Sequence, residues 1–267
     1  MKLQCPQLAV ALLLITSFAH SATPYSIEVT AESGTSDISG GNSPSPDTDN
    51  VAFGLSYYLQ ATGDNAVPLA EAAYLAKSDS ISVNYQTLES DDIDQSITSL
   101  SSRFVAPSNS IYKLGFNRLD ADGFDSDSFT LGFGRHISDG HSYTFDLNYA
   151  DEADIVSLLY LNRLVQDNGS GKWSTLEFNT GIIDIGGGNN LTIGISGDSY
   201  LSLNHGIGAG ISYVDLDSGS LLALSLDTRY FVSDRLFAEL LVAYSKTDIN
   251  NADVDVTNYT LKLGARF

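Results

Sequence analysis

Cysteine is nearly missing from this sequence, with Cys5 alone among 267 residues. Basic residues are scarce as well, 13 against 33 acidic ones. No stretch reaches the roughly 18 consecutive apolar residues that a membrane-spanning helix needs. Each shortage excludes something. One cysteine supports neither a disulfide framework nor a thiolate metal site. A formal charge of −20 argues against nucleic acid as a partner, because such affinity rests on cationic contacts to phosphate. It favours a solvated, cation-attracting exterior instead. The missing apolar run excludes a transmembrane helix but not membrane-spanning strands, whose signal per segment is much weaker. Helical periodicity is also almost absent, apart from "PLAEAAYLAK" at 68–77.

The first residues, "MKLQCPQLAVALLLITSFAHSA", combine a cationic start at Lys2, an apolar run from Leu8 to Ile15 and a small-x-small pair at Ala19 and Ser21. This reads as a secretory signal peptide over 1–21, since the run is too short to span a bilayer. Cys5 precedes the run, where a lipoprotein anchor would follow it, so the cysteine leaves with the signal. Processing removes Lys2 and no acid, which makes the exported chain more acidic still. The remainder, 22–267, is long enough for a single closed β structure.

What is abundant is alternation. In "HSYTFDLNYAD", Tyr143, Phe145, Leu147 and Tyr149 point one way and Ser142, Thr144, Asp146 and Asn148 the other. "SLLALSLDTRYF" and "RLFAELLVAYSK" repeat the pattern. Fourteen candidate strands follow, roughly 24–32, 50–60, 78–88, 95–106, 110–120, 127–137, 141–150, 154–165, 172–183, 190–199, 205–214, 220–231, 235–246 and 255–267. The segments at 95–106 and 154–165 are ambiguous, and merging strands across the glycine-rich stretch 181–210 would give twelve. Short turns such as "APSN" at 106–109, "SDG" at 138–140 and "SDR" at 233–235 alternate with acidic connections, among them "ESDDIDQ" at 89–95, "DADGFDSD" at 120–127 and "TDINNADVDV" at 247–256. Such asymmetry is expected of a barrel with short turns on one side of a membrane and longer loops on the other.

The last strand indicates the surrounding medium. From Tyr259 to Phe267 the chain covers roughly 27 Å, or about 19 Å of height at a tilt near 45°. With its terminal rings it approaches the ~25 Å apolar band between aromatic girdles. A soluble sandwich would turn such stripes inward and use Greek-key connections, and a lipocalin-like barrel would need only eight strands. The expected fold is therefore all-β: one antiparallel transmembrane barrel over 22–267, with an even strand number, fourteen within a range of twelve to sixteen.

The closing pattern, Phe267 preceded at alternate positions by Leu263, Leu261 and Tyr259, resembles the assembly signal of bacterial outer-membrane barrels. The resemblance implies that the barrel assembly machinery reads this strand. "PLAEAAYL", from Pro68 to Leu75, follows the aromatic strand "GLSYYLQ" and a turn. It resembles a motif of the general bacterial porin family of Gram-negative bacteria, and order, length and ending agree over nearly the whole exported chain. The resemblance implies a pore and carries over no catalytic residue.

A pore needs a polar, water-filled lumen whose fixed charges bias entry. The inward, pore-lining set reads as Glu28, Lys113, Asp146, Glu177, Asp227, Arg229, Glu239, Lys262 and Arg266; the alternative is that these groups only satisfy one another inside a filled barrel. The connection at 33–50, "SGTSDISGGNSPSPDTDN", is either a mobile external loop or an inward constriction. "DADGFDSD" begins like a calcium loop but has Leu131 where an EF-hand closes with Glu. The histidines His136, His141 and His205 show no triad spacing. Neither an enzyme nor a cofactor is expected. The expected partners are outer-membrane lipid and lipopolysaccharide, the assembly machinery and small hydrophilic solutes or ions, with a weak cation bias from the acidic rims. The competing reading is a non-conducting barrel with an adhesive or envelope-structural role.

Overall fold

The computed structural model describes residues 25–40, 48–62, 67–90, 94–121, 123–151, 155–185, 188–216, 219–249 and 252–267. The expected signal peptide lies outside them. Among the described residues fourteen strands form one closed antiparallel barrel. They are β1 (Tyr25–Gly40), β2 (Thr48–Thr62), β3 (Ser80–Glu89), β4 (Asp94–Val105), β5 (Ser110–Ala121), β6 (Phe124–Ser138) and β7 (His141–Ala150). The second half continues with β8 (Ile155–Asp167), β9 (Trp173–Ile185), β10 (Gly188–Ser202), β11 (His205–Leu216), β12 (Gly219–Ser233), β13 (Leu236–Ile249) and β14 (Ala252–Arg266). The two ambiguous segments are β4 and β8, and the glycine-rich stretch does not merge strands.

Each strand pairs with its sequence neighbours, and the ring closes where β1 meets β14, from Glu28 opposite Arg266 to Gly40 opposite Val254. At the end of that seam the Phe267 carbonyl accepts from the Ser26 and Ile27 amides at 2.7 and 3.0 Å. Closure leaves no edge strand, which matters wherever water cannot satisfy backbone groups.

The two faces of the wall are inverted relative to a soluble protein. Phe129, Leu131 and Phe133 on β6, Leu191, Ile193 and Ile195 on β10, and Leu222, Leu224 and Leu226 on β12 all stand exposed on the outside. Leu226 keeps 64% of its surface accessible. Inside, small polar groups bond across the strands: Ser56 with Ser82 at 2.8 Å, Thr130 with Asn148 at 2.7 Å and Asn148 with Ser157 at 3.0 Å. An apolar belt of this extent far exceeds the patches that soluble monomers expose. It is stable only against hydrocarbon, so the barrel spans a membrane.

The acidic connections are not long loops. In β13 and β14 the ladder runs on through Lys246 opposite Asp255 and Asp248 opposite Asp253 to Ile249 opposite Ala252, and Ala121 pairs with Phe124 across the "DADGFDSD" stretch. Likewise Ser33–Gly40 belongs to β1 and Thr48–Asn50 to β2, so most of 33–50 is wall; its middle, 41–47, lies outside the described residues. The physical reason is that a strand leaving hydrocarbon has water on both faces. Its period-two signal fades while its backbone ladder continues.

At the other end the connections between strands are short, except one. Between β2 and β3 the chain makes a 3-10 turn, Leu69–Glu71, and a single helical turn, α1 (Ala72–Leu75). The stretch 68–77, the exception in the sequence with helical periodicity, contains that helical turn. Pro68 precedes the turn with φ −55°, and Lys77, at φ 52°, ends the helical stretch.

Candidate functional site: the plugged end of the lumen

The segment 67–79 lies across the mouth of the barrel on its own side, bonded to inward-facing groups around the wall. Leu69 sits between Phe231 of β12 and Phe237 of β13 and forms with them the buried apolar cluster at this mouth. Its amide donates to the Leu203 carbonyl at 3.0 Å, and its carbonyl accepts from Arg266 Nη1 at 2.7 Å. Gly264 makes the seat: a Cβ there would collide with the Phe237 ring, so only glycine lets the ring lie flat beneath the plug.

Glu71 is the central tether. Its carboxylate is 3% exposed. It accepts from Arg163 Nη2 on β8 at 2.8 and 3.0 Å and from the Tyr200 hydroxyl on β10 at 2.7 Å. A carboxylate so far from water is tolerable only with such partners. Arg163 also reaches Glu177 at 3.5 Å and lies 4.8 Å over the Tyr74 ring. The Tyr74 hydroxyl donates to Ser142 Oγ at 2.9 Å. Burial raises the Tyr74 pKa above its ordinary 10.0, so the phenol stays protonated and able to donate.

The rest of the segment is tied to β4 and its neighbours. Arg103 Nη1 donates to the Ser78 carbonyl at 2.9 Å, the Val105 amide to Asp79 at 2.6 Å, and Lys77 reaches Asn109 at 3.1 Å and Asp139 at 3.0 Å. Asp79 also exchanges hydrogen bonds with Gln60 of β2.

All nine inward candidates stand on the side opposite the exposed apolar rows. Lys113 pairs with Asp146 at 2.9 Å, Arg229 Nε with Glu239 at 2.6 Å and Arg266 with Glu28 at 2.7 Å. Glu177 faces Arg163, Lys262 lies in register between Glu32 and Glu239, and Asp227 approaches Asp198 across Gly208. Tyr259 and Leu261 of the terminal pattern are exposed outward. Sequence reasoning missed Glu71, Arg163, Tyr200, Arg103 and Tyr74, which are drawn together only by ring closure. Available hints were the buried-type alanines of "PLAEAAYL" and Arg163 as the single charge in the otherwise uncharged run 155–166. The three histidines are spread out: His136 meets Arg103 at 2.8 Å, His141 meets Asn162 at 3.2 Å and His205 meets Thr228 at 3.0 Å.

Solved structures with this architecture are outer-membrane β-barrel proteins. Omp33 of Acinetobacter baumannii superposes with a TM-score of 0.65 at 16% identity, covering 92% of this chain and all of that one. A structure described as a bacterial polysaccharide outer membrane secretin gives 0.55 at 10% identity, with the same coverage. No family model matches the sequence, and comparison with curated proteins finds no match. At these identities the likeness shows the fold.

Proposed function

We propose that this chain is an integral outer-membrane channel of a Gram-negative bacterium, similar to the general bacterial porins, that passes small hydrophilic solutes or ions passively and is narrowed at one end by segment 67–79. The observation that carries the reading is the inversion of the wall, apolar outside and polar inside, in a ring of fourteen strands. Eight strands enclose only side chains, while sixteen to eighteen leave a water-filled channel. The acidic far rim supports a weak cation bias at that mouth, because clustered like charge concentrates counter-ions. By this reading the partners are lipid, lipopolysaccharide and the barrel assembly machinery, the last engaging Tyr259, Leu261, Leu263 and Phe267. The protein acts without catalysis or cofactor.

The test is purified protein in a planar lipid bilayer. Stepwise conductance, with a reversal potential weakly favouring cations in a salt gradient, is the expected result. One observation favours a second reading: the tethered plug fits a barrel that is permanently shut and serves the envelope structurally. Absence of conductance steps, in wild type and in a plug deletion alike, would select that reading over the channel.

A further inference from the structure

A cavity of about 280 Å³ lies where the plug residues Ala73, Tyr74 and Ser78 meet inward-facing residues of the wall. Its lining is rich in donors: Arg103, Lys113 and Arg163, the Tyr74 hydroxyl, and the hydroxyls of Ser142 and Ser78. The charges are not evenly matched. Lys113 is answered by Asp146 and Arg163 by Glu71 and Glu177. Arg103 has no carboxylate within salt-bridge distance among the described residues; its guanidinium bonds only the Ser78 carbonyl and the His136 ring. Asp79, the carboxylate next to Ser78 in the chain, is engaged by the Val105 amide and by Gln60.

Two further groups have no partner. Ser78 Oγ and Arg163 Nε are both buried without a hydrogen bond among the described residues, and Ser78 as a whole is 2% exposed. A native structure seldom leaves buried donors unmet. Both residues line the cavity beside the Arg103 guanidinium, although the two unmet atoms are themselves turned away from it; the cavity has room for a small ligand and several waters at about 30 Å³ each.

We propose that this cavity binds a small oxyanion, a solute carrying a phosphate or carboxylate group, with Arg103 supplying the charge and the Ser78 hydroxyl, turned toward the ligand by rotation about its Cα–Cβ bond, supplying a hydrogen bond. A planar guanidinium with free N–H groups suits an oxyanion in a way a single ammonium does not. The inference deepens the channel reading by naming a solute class. It rests on that reading for the solute's route and not for its binding.

The experiment is calorimetric titration of the detergent-solubilised mature barrel with inorganic phosphate, at constant ionic strength set with chloride. Wild type is expected to bind one phosphate saturably, Arg103→Gln at least tenfold more weakly, and Ser78→Ala several-fold more weakly. Arg103→Lys should retain part of the affinity, and Lys172→Gln, which removes a charge from a turn away from the cavity, should change nothing. Heat-modifiable gel migration checks that each variant is folded; should Arg103→Gln not fold, Ser78→Ala carries the test. No saturable binding to wild type, or equal weakening by Lys172→Gln, would overturn the site. Phosphate binding without conductance would sink the channel and keep the site, and conductance without phosphate binding would do the reverse.

Discussion

At the far end of the barrel, paired strands run out into water and are joined by as few as two residues, between Ala121 and Phe124 or between Ile249 and Ala252. At the plugged end the turns are equally short, but one connection folds back and ties itself to strands all around the ring. The charges divide in the same way. Of the described basic residues only Arg118 and Lys246 lie in the far half; the others cluster toward the plug. The far hairpins even set carboxylates opposite each other, Asp120 facing Asp125, Asp248 facing Asp253 and Glu89 facing Asp94. One end is thus an acidic collar that stays open to counter-ions, and the other is a neutralised, hydrogen-bonded closure. The difference shows that length of connection does not decide occlusion here; the placement of buried partners does.

The comparison breaks most visibly if the plug is removed. Replacing 67–77 by a short Gly-Ser turn should raise single-channel conductance several-fold, and unchanged conductance would mean that the constriction lies elsewhere. A subtler change at the same end is Glu71→Ala, which leaves Arg163 in a poorly solvated site with only the more distant Glu177 at 3.5 Å. Loss of one member of a buried pair costs about 3–5 kcal/mol; with Arg163 partly accessible, about 2–4 kcal/mol of plug docking should be lost. This should appear as a higher open probability and faster proteolysis within 67–79. Leu69→Ala removes the apolar anchor against Phe231 and Phe237 and should weaken docking by about 2–3 kcal/mol, read by the same proteolysis.

At the collar, Asp120→Asn with Asp248→Asn should move the reversal potential toward anions at low salt. The shift should vanish near 1 M, where screening acts within about 3 Å. Each change should also relieve cross-strand repulsion by roughly 0.2–1 kcal/mol, visible as slightly later thermal unfolding. The smallest effect concerns pH. The docked Tyr74 has a raised pKa, so its contribution is complete below the ordinary value of 10.0 and is lost as pH rises above it. Proteolysis of the plug should therefore quicken only in that alkaline range, and Tyr74→Phe should abolish that component.

Much of the wall was legible in advance. Tyr259 and Leu261 show their outer face by alternation alone, and Glu28, Lys113, Asp146 and Arg229 fall on the inner side for the same reason. The strand extents at the far end were not, because Thr247–Ile249 and Ala252–Val256 have lost the apolar contrast on which alternation depends. The plug was least legible. Glu71 stands 92 residues from Arg163 and 129 from Tyr200, and their meeting follows from the curvature of the whole ring, which no local period encodes.

The seam between β1 and β14 has a consequence for biogenesis. Glu28 and Arg266 are 238 residues apart, and until they meet, both boundary strands carry rows of unpaired amides and carbonyls that hydrocarbon cannot satisfy. A half-inserted chain therefore gains no stable resting place in the bilayer; only when its two margins zip is every backbone group in the wall paired.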